Sequence, residues 1–156
     1  MTTQNNDCQA AIKLLDAKLD QLCRIAEEFP ADCLWRRPSE GVVSLGNLLL
    51  HVTGSMRDWF ENGLGQGNWS RDRDAEFACE GGLDAAQVIA QLRHTRAHCE
   101  TFLAEVDGEQ WESTRRFRDQ EFTVREIVLH QLEHVAYHAG QAAFLRWLTA
   151  GLPLLK

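Results

Sequence analysis

The chain has 156 residues, of which 44% are hydrophobic and 25% charged, with a formal net charge of -7. That length suits one domain over residues 1–156, with a core large enough to fold without staples, and the negative balance argues against nucleic acid as a main partner. No apolar run approaches the roughly 20 residues of a membrane span, and the opening stretch MTTQNNDCQA lacks the basic and apolar regions of a secretory leader, so the expected location is cytoplasmic.

The first helical pattern runs from about Asn6 to Phe29, with Ile12, Leu15, Leu19, Leu22 and Ile25 on one face, and stops at Pro30. A second follows Ser44, a plausible N-cap, and carries Leu45, Leu48, Leu49, Val52, Met56, Trp59 and Phe60 to about Asn62. Trp59 and Phe60 are read as core or subunit contacts. The third begins at Asp84, where DAAQ fits a capping box, and ends near Val106. The fourth begins at Thr123, where TVRE is another box, and runs to about Ala150 before Gly151 and Pro153.

Two long connections, GLGQGNWSRDRDAEFACEGG and DGEQWESTRRFRDQEF, separate the later helices. Long loops on a rigid scaffold often carry function. The basic cluster RRFR in the second, at Arg115, Arg116 and Arg118, reads as a solvated loop. No convincing strand pattern is present, so the expected fold is all-α, a four-helix bundle with long connections. Cys8, Cys23, Cys33, Cys79 and Cys99 contain no CxxC pair and are odd in number, which points to reduced, mostly buried thiols.

The stretch HQLEHVAYHAGQ, residues 130 to 141, spaces His130, His134 and His138 four apart. At about 100° per residue His130 and His138 fall about 40° to either side of His134, on the stripe shared by Ile127, Leu145, Leu148 and Gln141. Polar rings on an apolar stripe need partners, because each unsatisfied one costs about 1–3 kcal/mol. His94 and His98 repeat the spacing but fall on the opposite, wet face, so spacing alone is a weak signal. Two histidines one turn apart can share a metal ion, given a third donor from another helix and an open position. His51, on the second helix, lies about 110° from that helix's apolar centre. There the wheel leaves it open between surface and site, and leaves the trio open between a metal site and satisfied core histidines.

SLGNLLLHVTGSMRDWF, followed much later by HQLEHVAYHAGQAAFLRW, resembles the DinB/YfiT-like superfamily of four-helix-bundle metalloenzymes. The connection GLGQGNWSRDRDAEF resembles one subgroup, with its RxRxxEF loop, and the resemblance spans Leu14 to Trp147. It implies that His51, His134 and His138 bind a divalent metal, nickel or zinc, with His130 a pocket residue. It raises Arg71, Arg73 and Glu76 as residues covering the site mouth. Gln141 lies inward by angle and Asn47 one turn before His51, so both are candidates to bond a ligand histidine or substrate. Glu133, about 100° from the ligand face, is a poor candidate. Gly140, inside the last helix, is read as permitting close packing. The family implies a small-molecule substrate, a low-molecular-weight thiol, and either thiol S-transfer or hydrolysis in a homodimer. The alternative is a non-enzymatic stress-related or binding protein whose metal, if any, is structural.

Overall fold

The computed structural model describes residues 6–153, so residues 1–5 of the stretch read for a leader lie outside the described residues. Helix α1 (Asn6–Glu27) buries Leu15, Leu19, Leu22 and Ile25 and gives way to a short 3-10 turn at Ala31–Cys33 beyond Pro30. Helix α2 (Leu45–Arg57) starts on a reciprocal capping box between Ser44 and Asn47. It continues as a π-helical turn, Asp58–Leu64, closed by the Gly65 N–H donating to the Phe60 carbonyl at 2.9 Å. Such turns insert an extra residue into a helix and often mark functional sites.

Inside the first long connection lies a short helix, α3 (Arg73–Ala78). Helix α4 (Ala85–Leu103) begins on the Asp84–Gln87 box. A one-turn helix, α5 (Gly108–Glu112), precedes strands β1 (Thr114–Phe117) and β2 (Gln120–Thr123), then α6 (Val124–Ala150). Helix α6 starts on the Thr123–Glu126 box and ends at Gly151, whose φ of 65° supplies the left-handed cap. Helix α1 packs chiefly against α6 and α2 against α4, with α2 also meeting α6. The four long helices form the expected all-α bundle, and Trp59 and Phe60 are both buried in its core.

Three expectations change. The second connection holds an antiparallel hairpin, in which Thr114 faces Thr123 and Phe117 faces Gln120. Its two turn residues, Arg118 and Asp119, both have positive φ, the geometry that suits the strand twist. The RRFR cluster is therefore β1 and its turn rather than an irregular loop, and Phe117 and Phe122 both pack edge-on against Trp59, with ring centroids 5.0 and 5.3 Å away. Second, the buried face of α6 comprises Val124, Ile127, Val128, Gln131, Val135, Ala139, Ala142, Leu145 and Arg146, while Leu148 is exposed. That face is centred about 80° from His134, with Ile127 and Leu145 at its near edge, so the histidines flank the core stripe instead of sharing its centre. Third, a Cβ built on Gly140 meets nothing within 4 Å, so no packing within the chain's described residues requires that glycine.

Candidate metal centre

Helix α2 brings His51 to the two histidines of α6, although the wheel left its direction open. The Nε2 atoms of His51 and His134 are 3.2 Å apart, and those of His138 and His134 are 3.1 Å apart. One ring nitrogen from each lies within 4.8 Å of the other two. His51 is buried, and His134 and His138 are half-buried.

The far sides of two rings decide their tautomers. His51 Nδ1 is 3.0 Å from Glu76 Oε2, and His138 Nδ1 is 2.7 Å from Gln141 Oε1. An ionised carboxylate and an amide oxygen only accept, so each Nδ1 must carry the proton. Arg71 also approaches His51 Nδ1 at 3.1 Å, but a guanidinium only donates. Were Nδ1 to accept from it, two lone pairs would face each other across the Glu76 contact. His51 and His138 therefore both aim Nε2 lone pairs at the third ring. A proton on His134 Nε2 can serve one of them well, whereas a cation at the centre serves both. His134 Nδ1 is buried without a hydrogen-bond partner among the described residues, so nothing on that side fixes the ring.

Burial, reinforced by the neighbouring His138 and His51 rings, pushes the His134 pKa down to about 3. Burial likewise lowers His138, against a smaller upward pull from Gln141, and also lowers His130. At neutral pH these three rings are neutral, the form that ligates metal. Burial pushes Glu76 up, but hydrogen bonds from His51 and Arg71 outweigh it and hold the carboxyl below its ordinary value.

Glu76 is held by an array that the sequence shows only in part. Arg71 donates from Nε to Oε1 at 2.7 Å and from Nη2 to Oε2 at 2.8 Å, a bidentate pair with both side chains about nine-tenths buried. The Asn47 amide donates to the carbonyls of Glu76 and Cys79 at 3.0 and 2.7 Å while its oxygen caps α2. Asn47 thus pins α3 to α2 and does not itself bond a ring of the cluster. Gly54 is one residue that pattern reading missed. A Cβ there would lie 2.9 Å from Glu76 Cδ and 3.2 Å from Arg71 Nε. Its only sequence signal is a glycine inside a helix, the same signal Gly140 gives without such a contact.

Beside the cluster opens a cavity of about 280 Å³, lined by His51, His134 and His130 with Ser55, Trp59, Arg71, Arg73 and Arg118. His130 stacks on Trp59 with ring centroids 4.1 Å apart. Arg118, on the hairpin turn, pairs with buried Asp58, and the Arg73 guanidinium lies 4.9 Å from the Phe77 ring centroid, itself packed against His51. Asp58, Trp59 and Arg118 were not singled out as site residues because they converge only once the hairpin folds over the π-helical turn. His94 is exposed and His98 bonds Glu61 at 2.9 Å, both apart from the cluster. All five cysteines are free and none lines this cavity; burial raises Cys8, Cys23 and Cys99, the last to about 12.

A family model described as mycothiol-S-transferase matches residues 11–151. Among solved structures, a conserved protein from Enterococcus faecalis superposes with a TM-score of 0.76 at 15% identity, covering 92% of this chain and 97% of that one. A DinB-like protein from Bacillus subtilis superposes with a TM-score of 0.70 at 18% identity, covering 94% of this chain and 95% of that one. At such identities the likeness shows the fold. No curated protein matches. The chain belongs to the mycothiol-S-transferase family, within the DinB/YfiT-like superfamily.

Glu76→Gln, which can turn its NH₂ toward His51, should weaken zinc binding by about 10–100-fold in competition with a chelating dye. Gly54→Ala should weaken it in the same direction, by pushing Glu76 off its present position; unchanged affinity in both would mean the carboxylate does not orient His51.

A pH dependence follows from the lowered imidazoles. In metal-stripped protein the unfolded chain takes up a proton at His134 near 6.5, while the folded chain resists until about 3. The unfolded state then binds more protons, so stability should fall as pH drops through that window. Glu76 adds to the loss below its ordinary value of 4.5. Urea midpoints measured from pH 7 to pH 4 should decline, and less steeply for His134→Asn.

Proposed function

We propose that this mycothiol-S-transferase family member is a divalent-metal-dependent enzyme that transfers the sulfur of a low-molecular-weight thiol of the mycothiol kind to a small-molecule substrate. The observation that carries the reading is the pair of tautomer-fixed Nε2 lone pairs converging on His134. His51, His134 and His138 would hold the ion, with zinc or nickel suited to three neutral imidazoles. Three protein donors leave a four-coordinate ion one position short, the pattern of a catalytic rather than a closed structural site.

When bound, the ion supplies positive charge that lowers the pKa of a thiol beside it. The chain's own residues do the rest. Glu76 and Gln141 hold the ligand rings in the metal-binding tautomer, and Arg71 keeps Glu76 ionised. No cysteine lines the cavity, which leaves the nucleophilic sulfur to an external thiol. In the transfer the thiol loses its proton, a sulfur–carbon bond forms, and the bond to the leaving group breaks, its electron pair departing with that group. His130, neutral and outside the ligand trio but on the same cavity wall, is placed to take the thiol proton. Function in the cytoplasm fits a thiol-dependent reaction, and among the described residues no helix is long and apolar enough to cross a membrane.

A homodimer is part of the same reading. Tyr137, Phe144, Trp147 and Leu148 are exposed along α6, on the side of the histidines away from the core. Gly140 lies among them, and a mid-helix glycine costs about 1 kcal/mol relative to alanine with nothing among the described residues requiring it. A second copy packed along this stripe would cover the apolar rings and use the glycine.

Mass spectrometry of untagged protein should find close to one metal ion per chain, lost in His51→Ala and His134→Ala. His130→Asn should keep the metal yet slow thiol consumption by on the order of 100-fold. A wild-type chain that neither retains nor takes up metal would end the metalloenzyme reading.

Sedimentation should show a dimer that becomes monomeric in the Phe144→Glu, Trp147→Glu double variant. A monomeric wild type at high protein concentration would remove the dimer.

A further inference from the structure

We infer that Arg73 and Arg118 form an anion subsite in the cavity beside the three histidines, and that it receives a carboxylate of the substrate that the thiol attacks. The second half of this statement rests on the proposed thiol transfer; the subsite itself does not.

The charges around the cavity leave a positive excess in a chain whose net charge is -7. Three guanidiniums line it: Arg71, Arg73 and Arg118. Two buried carboxylates offset two of them, Glu76 facing Arg71 and Asp58 facing Arg118. Three guanidiniums less two carboxylates leaves one positive charge.

The three arginines are not equivalent. Arg71 is committed, with Nε and Nη2 both on Glu76 and its side chain buried. Arg118 gives Nη2 to Asp58 but stands on the hairpin turn with its side chain 52% exposed. A guanidinium has five N–H donors, so most of its donors stay available. Arg73 makes no ion pair within 4.0 Å among the described residues and is held over the Phe77 ring. Arg118 is backed in the same way, its guanidinium carbon 4.8 Å from the Phe117 centroid and 5.5 Å from that of Trp59. Aromatic rings behind both fix where the charges stand without neutralising them.

Two such guanidiniums, one from α3 and one from the hairpin, suit a planar carboxylate that accepts paired N–H bonds. The cavity, about 280 Å³, restricts the ligand to a small molecule. Its reacting carbon would then lie between the anchored carboxylate and the histidine centre, where a thiolate would be presented.

The direct test is calorimetry at low salt with succinate and its neutral counterpart succinamide, on metal-loaded and metal-stripped protein. Succinate should bind both forms at least tenfold more tightly than succinamide. Arg73→Gln and Arg118→Gln should each remove that preference. Because Arg118→Gln strips a partner from buried Asp58, its thermal unfolding is checked first. If it fails to fold, Arg73→Gln, which breaks no ion pair, carries the result. Equal binding of succinate and succinamide, or wild-type succinate affinity in Arg73→Gln, would overturn the subsite. Inorganic phosphate binding tenfold more tightly than succinate would overturn the carboxylate assignment.

The substrate half is read with mycothiol and two alkylating probes, iodoacetate and iodoacetamide. In each the sulfur bonds the methylene carbon, iodide leaves with the electron pair, and the thiol proton is released. Wild type should prefer iodoacetate in kcat/KM by at least tenfold, and Arg73→Gln should lose that preference. No preference in the wild type would overturn the substrate assignment. Succinate selectivity in a chain that takes up no metal would keep the subsite and sink the metalloenzyme reading. Normal metal uptake without succinate selectivity would sink the subsite alone.

Discussion

Two imidazoles with their protons held on the far side, pointing bare nitrogens at a third, are the constraint around which this structure is arranged. His51 is set by the Glu76 carboxylate, which can only accept, and His138 by the Gln141 amide oxygen, turned toward it while the amide NH₂ donates to the Tyr137 hydroxyl. Without a cation, two nitrogens each a little over 3 Å from a third are an electrostatic liability that only one proton can relieve. The surrounding structure keeps it in place. Arg71 grips Glu76 in two-point fashion, Asn47 ties the backbone of α3 to α2, and Gly54 leaves the space in which the Glu76–Arg71 pair lies against the helix.

The histidines stand at the shoulder of α6, between its buried line and its exposed apolar side. That position reconciles two needs that oppose each other. Enough desolvation reaches His134 to keep it neutral far below its ordinary pKa. Enough of the surface remains open for a cavity to reach the same nitrogens. Histidines at the centre of the stripe would have been sealed in the core, and on the wet face they would titrate freely.

The bundle supplies rigid donors, and the two long connections supply the charges around them. Helix α3 carries Glu76 and Arg73 to one side of the cavity, and the hairpin carries Arg118 to the other. The π-helical turn sits between, presenting Asp58 to Arg118 and Trp59 to Phe117, Phe122 and His130. A site assembled this way can keep its metal-binding geometry while the lining of its mouth varies, because ligand helices and lining loops are separate pieces of chain.

The helices and their starts were legible in the sequence because they depend on neighbours a few residues away. Three capping boxes, Ser44–Asn47, Asp84–Gln87 and Thr123–Glu126, mark their starts, the first of these seen beforehand only as a lone N-cap serine. The HxxxH spacing was legible for the same reason. The hairpin was not, since its strands have four residues each and its turn is Arg-Asp rather than a glycine pair. Two glycines inside helices look alike in sequence, yet Gly54 faces the Glu76–Arg71 pair and Gly140 has nothing among the described residues within 4 Å of a Cβ. His51 could not be placed by its own helix, because its direction acquires meaning only from the crossing of α2 over α6. By itself the sequence determined periodicity, caps and an i, i+4 pair of donors. The tertiary structure alone decided which third donor meets them, which protons are fixed, and which arginine is left without a carboxylate, because those depend on distances between segments far apart along the chain.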